Sequence, residues 1–125
     1  MKIIYIDFDG VINSYKTKFD QSNPGSLPDP PVPGAIEFLS QAVKRFKVVI
    51  FTCRMLQPEQ EALIHAWLFK HGMANNLIDQ LSFSCVKRGA TCYIDDRAVP
   101  FSGTFPSLDY LETFKPWQQN EFENN

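Results

Sequence analysis

Residues 2–10 read Lys2-Ile3-Ile4-Tyr5-Ile6-Asp7-Phe8-Asp9-Gly10, and the fold is decided there. An apolar run with β-branched and aromatic residues, cut off by Asp-x-Asp-Gly, is the signature of a buried strand that ends in a turn. The run does not alternate polar with apolar, so both of its faces are covered. Lys47-Val48-Val49-Ile50-Phe51-Thr52 repeats the pattern. Weaker strands are expected over 81–84 and 91–94, the latter ending at Asp95-Asp96.

Helical periodicity fills the gaps. After Pro33-Gly34, the residues Ala35, Ile36, Leu39, Ala42, Val43 and Phe46 fall on one face. A second helix is expected from Pro58, with Glu59 and Glu61 in its first turn, Lys70 and His71 in its last, and Gly72 as its stop. Its apolar stripe is Leu63, Ile64, Trp67 and Leu68, and a final short helix is expected over 107–114. Phe105 and Phe114 are expected under the sheet edge, while Trp117 covers a core edge or meets a partner. His65 and His71, six residues apart, do not share a face for a metal. Residues 13–31 hold Pro24, Gly25, Pro28, Pro30 and Pro31 and form a long loop, the kind that carries function.

This order predicts an α/β fold: a three-layer, Rossmann-like parallel sheet with helices on both faces. Residues 1–115 make one domain and 116–125 a polar tail, a division suited to 125 residues. No insertion is long enough for a separate cap domain. Apolar residues at 44% and eleven Phe supply a core. A net charge of −2 gives no bulk attraction to nucleic acid or to an anionic membrane. No apolar run is long enough to span a bilayer, and the start is too short for a signal peptide. Cys53, Cys85 and Cys92 form no Cys-x-x-Cys pair, so they read as reduced, mostly buried thiols of a cytoplasmic protein.

In such sheets ligands bind beyond the carboxyl ends of the strands. Reactive groups gather at those ends here: Asp7 and Asp9, Thr52 and Arg54, Asp95, Asp96 and Arg97, with Lys87 just before the last strand. Four carboxylates in one place call for a hard divalent cation with oxygen ligands, and beside phosphate that is usually magnesium. One carboxylate can attack phosphorus, and a second can protonate the leaving oxygen and later activate water. A hydroxyl and a lysine can balance the charge on the phosphoryl oxygens. Gly10 lets the chain turn sharply and leaves room for phosphate.

These motifs resemble the haloacid dehalogenase superfamily of phosphatases and phosphotransferases. Asp7-Phe8-Asp9-Gly10 matches its first motif, Val48 to Thr52 its second, Lys87 its third and Asp95-Asp96 its fourth, in order over residues 1–100. The resemblance implies a magnesium-dependent phosphomonoester hydrolase working through an aspartyl-phosphate. Asp7 would be nucleophile and metal ligand. Asp9 would be the general acid and base, with its backbone carbonyl on the metal. Thr52, Lys87 and Gly10 would bind phosphate, and Asp95 and Asp96 would complete the metal site. Val11 stands where the family often has Thr, and Lys87 lies unusually near Asp95, as in the smallest members without a cap. Arg88 competes for the role of Lys87, and Arg54 and Arg97 either pair with carboxylates or reach the substrate. The phosphorylated substrate is a small molecule or a nucleic-acid end, and the oligomeric state stays open.

Thr52-x-Arg54 with Ile94-Asp95-Asp96-Arg97 is also similar to the 3′-phosphatase domain of phage-type polynucleotide kinases. Two other classes are weighed. A phospho-accepting receiver domain needs an Asp at the end of a later strand, where Thr52 stands instead, and has no use for Asp7-x-Asp9. A non-catalytic binding relative would be expected to lack a catalytic position, and none is missing.

Overall fold

A computed structural model describes residues 1–56 and 59–117. Four strands form one parallel sheet: β1 (Ile3–Asp7), β2 (Lys47–Phe51), β3 (Ser82–Ser84) and β4 (Cys92–Ile94), in the order β3-β2-β1-β4. The chain is therefore α/β. The register pairs Ile3 with Lys47 and Asp7 with Phe51, Tyr5 with Tyr93, and Phe51 with Ser84. The ladders run one residue further, since Phe8 N donates to Phe51 O and Thr52 N donates to Ser84 O, both at 3.0 Å. That extra step fixes Phe8 and Thr52 side by side at the carboxyl edge.

Alternation along the strands sorts the side chains onto two faces. Ile4, Ile6, Phe8, Val48 and Ile50 belong to the main core cluster. Helices α1 (Ala35–Ala42) and α2 (Gln60–Lys70) feed the same cluster through Leu39, Ala42, Ile64, Trp67 and Leu68. Leu39, Ile64 and Leu68 have no exposed surface, and each such side chain contributes roughly 1.5–3 kcal/mol. Tyr5 and Val49 are buried on the other face, where the Tyr5 ring lies 5.5 Å from Tyr93. Asp7, Phe51 and Tyr93 share that second face by register.

Helix α1 starts at Gly34, whose φ of 87° only glycine adopts freely. Helix α2 stops at Gly72, with φ 105°. Its expected start at Pro58 lies outside the described residues. A single-turn helix α3 (Asn75–Ile78), not expected from periodicity, buries Ile78 before β3. Helix α4 (Leu108–Thr113) is capped by Ser107 Oγ, which accepts from Tyr110 N at 3.0 Å. No residue of α4 is buried.

Two expectations fail. All three cysteines are exposed rather than buried. They sit where cover runs out: Cys53 just past β2, Cys85 just past β3, and Cys92 on the edge strand β4. Phe105 is 82% exposed and does not pack under the sheet; it touches only the Phe101 ring among the described aromatic pairs.

Residues 13–31 are a pinned arch rather than a loose loop. Asn13 and Pro31 form an antiparallel bridge. Ser14 N and Oγ both donate to Pro30 O, at 3.0 and 2.7 Å. Helix α2 holds the arch from below: Gln60 Nε2 donates to Pro24 O at 2.7 Å and Trp67 Nε1 to Asp29 O at 3.1 Å.

Candidate active site

The turn after β1 is tight. Phe8 O accepts from the backbone N–H groups of Val11, Ile12 and Asn13, and Gly10 turns with φ 90°. A positive φ is easy only for glycine, which accounts for Gly10 at this place. Trp117 Nε1 donates to Gly10 O at 2.6 Å, so the far end of the described chain meets this turn.

Asp7, Asp95 and Asp96 each offer an oxygen within 4.8 Å of the others. β1 and β4 are neighbours, and both end here. Burial and the neighbouring Asp95 carboxylate push the Asp7 carboxyl up to about 8. Burial also raises Asp96. Burial acts on Asp95 in the same sense, but Lys87 and the Arg97 N–H outweigh it and leave its carboxyl below the ordinary value. Lys87 Nζ sits 2.6 Å from Asp95 Oδ2, and Arg97 N donates to Asp95 Oδ1 at 2.7 Å. Lys87 reaches that position across the second face, 4.8 Å from the Phe51 ring centre. Burial works against its charge, but the carboxylate at hydrogen-bond distance raises its pKa overall.

Asp7 Oδ1 and Asp96 Oδ2 are buried without a hydrogen-bond partner among the described residues. A buried, unmatched carboxylate oxygen is costly. Three oxygen donors, two of them with an orphaned atom, are a donor set that suits a hard divalent cation.

Asp9 stands apart from this trio. Its carboxylate accepts from Arg54 Nε at 3.1 and 2.9 Å and from Asn13 Nδ2 at 2.9 Å. Arg54 is itself only 3% exposed. Its guanidinium lies 4.6 Å from the Phe19 ring centre, and Nη1 donates to Ser26 O at 3.4 Å. Of the two uses expected for Arg54, pairing with a site carboxylate is the one observed. Thr52 is buried, and its Oγ1 accepts from Arg54 N at 3.0 Å.

Asp7, Asp9, Thr52, Arg54, Asp96 and Arg97 line one cavity of about 420 Å³. Lys87 and Asp95, joined in an ion pair, do not line it. Arg88 does not line it; its carbonyl accepts from the Tyr93 hydroxyl. His65 faces Asn75 and Asp79, away from this edge.

Several lining residues escaped sequence reasoning: Tyr15, Lys18, Phe19 and Gln21 of the arch, and Cys53. Asn13, buried and holding Asp9, escaped it too. The available signal was two aromatic residues, Tyr15 and Phe19, set in an otherwise polar stretch. Among the described residues no helix is long and apolar enough to cross a membrane. Comparison with protein-family models, with curated proteins and with solved structures finds no match to this chain.

Proposed function

We propose that this chain is a magnesium-dependent phosphomonoester hydrolase that uses Asp7 as its nucleophile. The observation that carries the reading is the trio Asp7, Asp95 and Asp96, gathered within 4.8 Å at the carboxyl edge of a parallel sheet, with Lys87 on Asp95. A structural ion-pair network would pair its carboxylates with cations. Here two buried carboxylate oxygens have no partner among the described residues.

Asp7, Asp95 and Asp96 would hold the cation, with Asp9 adding its carbonyl. When bound, magnesium polarises a phosphoryl oxygen and offsets the charge of the nucleophile. Asp7 attacks phosphorus, the bond to the leaving oxygen breaks, and Asp9 gives that oxygen a proton. Water then attacks the aspartyl-phosphate, Asp9 takes its proton, and inorganic phosphate leaves with Asp7 restored. Thr52 and Lys87 balance charge on the phosphoryl oxygens, and Gly10 keeps the turn clear of them. Arg54 and Asn13 position the Asp9 side chain through their hydrogen bonds to it.

The reading takes the fold as a three-layer, Rossmann-like sandwich without a separate cap domain, in the cytoplasm. The clustering of reactive groups at strand ends supports the fold part of this. A 3′-phosphorylated nucleic-acid end is the alternative substrate. It is disfavoured by the chain's net charge of −2.

The test is phosphate release from an aryl phosphate by the purified protein with added magnesium, with excess chelator, and with Asp7→Asn in magnesium. Turnover is expected in the first arm alone. Turnover that survives Asp7→Asn would remove Asp7 from the mechanism.

A further inference from the structure

One wall of the cavity beside Asp7 is built by the arch, through Tyr15, Lys18, Phe19 and Gln21. Tyr15 is 1% exposed, yet its backbone sits at φ 55°, a left-handed conformation that bulky residues rarely adopt. Strain of this kind gathers at functional sites. Its result here is local: the Tyr15 hydroxyl accepts from Phe19 N at 3.2 Å. The Arg54 guanidinium lies 4.6 Å from the Phe19 ring centre and is itself held on Asp9. Phe19 is thus fixed from two directions while its ring stays half-buried and borders the cavity. Lys18 and Gln21 lie at the same wall, both exposed.

We propose that this wall is a leaving-group subsite with Phe19 as its stacking platform. The substrate it fits is a small phosphomonoester whose leaving group carries a flat heteroaromatic ring, a nucleoside monophosphate being the simplest example. The inference rests on the phosphohydrolase reading and names the substrate class for that site. A cavity of about 420 Å³ is far more than a phosphoryl group fills and falls within the range of small-ligand sites. A bare sugar would call for a denser set of polar partners than two aromatic rings supply. An aliphatic tail would gain nothing from Lys18 and Gln21 at the rim. A ring with a π face and hydrogen-bonding edges uses both kinds of residue. The pinned arch also makes this wall permanent, so a small molecule fits it better than the end of a polymer.

The test compares two ligands with the same primary phosphate, adenosine 5′-monophosphate and ribose 5-phosphate. Their dissociation constants are measured calorimetrically on full-length Asp7→Asn with magnesium, so that neither is consumed. The nucleotide is expected to bind roughly 10-fold more tightly, the size of one base–aromatic stack. Adding Phe19→Ala should bring the ratio to within about twofold, and Phe19→Leu, which keeps bulk but not a flat face, should do the same. Phe19→Tyr should preserve it. Because the ratio is taken within each variant, a general loss of binding cancels. Equal affinities, no binding of either ligand, or a ratio that survives both Phe19→Ala and Phe19→Leu would overturn the subsite. Wild-type turnover of the same pair judges the enzyme separately. Hydrolysis of both with equal affinities sinks the subsite and keeps the phosphatase. A ring preference without any turnover keeps the subsite and sinks the phosphatase.

Discussion

Asp7 keeps its proton to about pH 8 in the folded chain, against an ordinary value of 3.8, because it is buried beside Asp95. The sign of the consequence follows from linkage. Below 3.8 the group is protonated in both states. Between there and about 8 the unfolded chain releases a proton that the folded chain keeps, so stability falls as pH rises through that window. A bound divalent cation requires the ionised form, so its stabilising effect grows over the same range. Without added metal, Asp7→Asn is therefore expected to lose less melting temperature than wild type on going from about pH 5 to about pH 8. Magnesium should raise the wild-type melting temperature more at the higher pH. Parallel curves for the two proteins would mean that Asp7 is not the strained group. At this scale the sequence was informative about Asp7, Thr52, Lys87, Asp95 and Asp96, since strand ends can be read from apolar runs. It was silent on which carboxylate Arg54 takes and on the burial of Asn13, because both depend on how the arch folds back.

The elements were legible where the hydrophobic pattern was strong. β1, β2 and α1 stand where their apolar runs put them. The three-residue strands and single-turn α3 carry too little pattern to be bounded in advance. Residues 13–31 were legible as a loop but not as a fixed wall, because three of the anchors that fix it, Arg54, Gln60 and Trp67, lie far away in sequence. Trp67→Phe probes that anchoring. It deletes the donor to Asp29 O and thins the edge-on packing of Trp67 against Phe8, whose ring centres lie 5.2 Å apart. A loss of about 1–2 kcal/mol in urea unfolding is expected. Amide exchange should speed up more at Thr17 and Phe19 than along β1. Uniform acceleration would show that Trp67 serves the core and not the arch.

Over the whole molecule, the sheet places the strands so that residues far apart in the chain meet at one edge. β1 and β4 bring Asp7 beside Asp95, and the tail brings Trp117 onto Gly10. Trp117 is 60% exposed, so its indole N–H, rather than burial, holds it there. Trp117→Phe keeps a ring and removes the donor. It should cost about 1 kcal/mol, or about 4 °C in melting temperature. No change would mean that the contact is absent in solution. A parallel α/β sheet was expected from the order of the elements. The exposure of α4 was not, because its Leu108, Tyr110 and Leu111 resemble a core stripe.

Four anchors of the arch grip its main chain. Gln60, Trp67, Ser14 and Arg54 all donate to backbone carbonyls, those of Pro24, Asp29, Pro30 and Ser26. A carbonyl is the same whatever side chain follows it. Positions 18 and 21 can therefore drift, or be randomised in a library, without loosening these four anchors, whereas Phe19 also packs against the Arg54 guanidinium. The carboxylate edge of the sheet and the rim of the wall beside it are thus separable: the one is set by strand ends, the other by side chains that the anchors do not read.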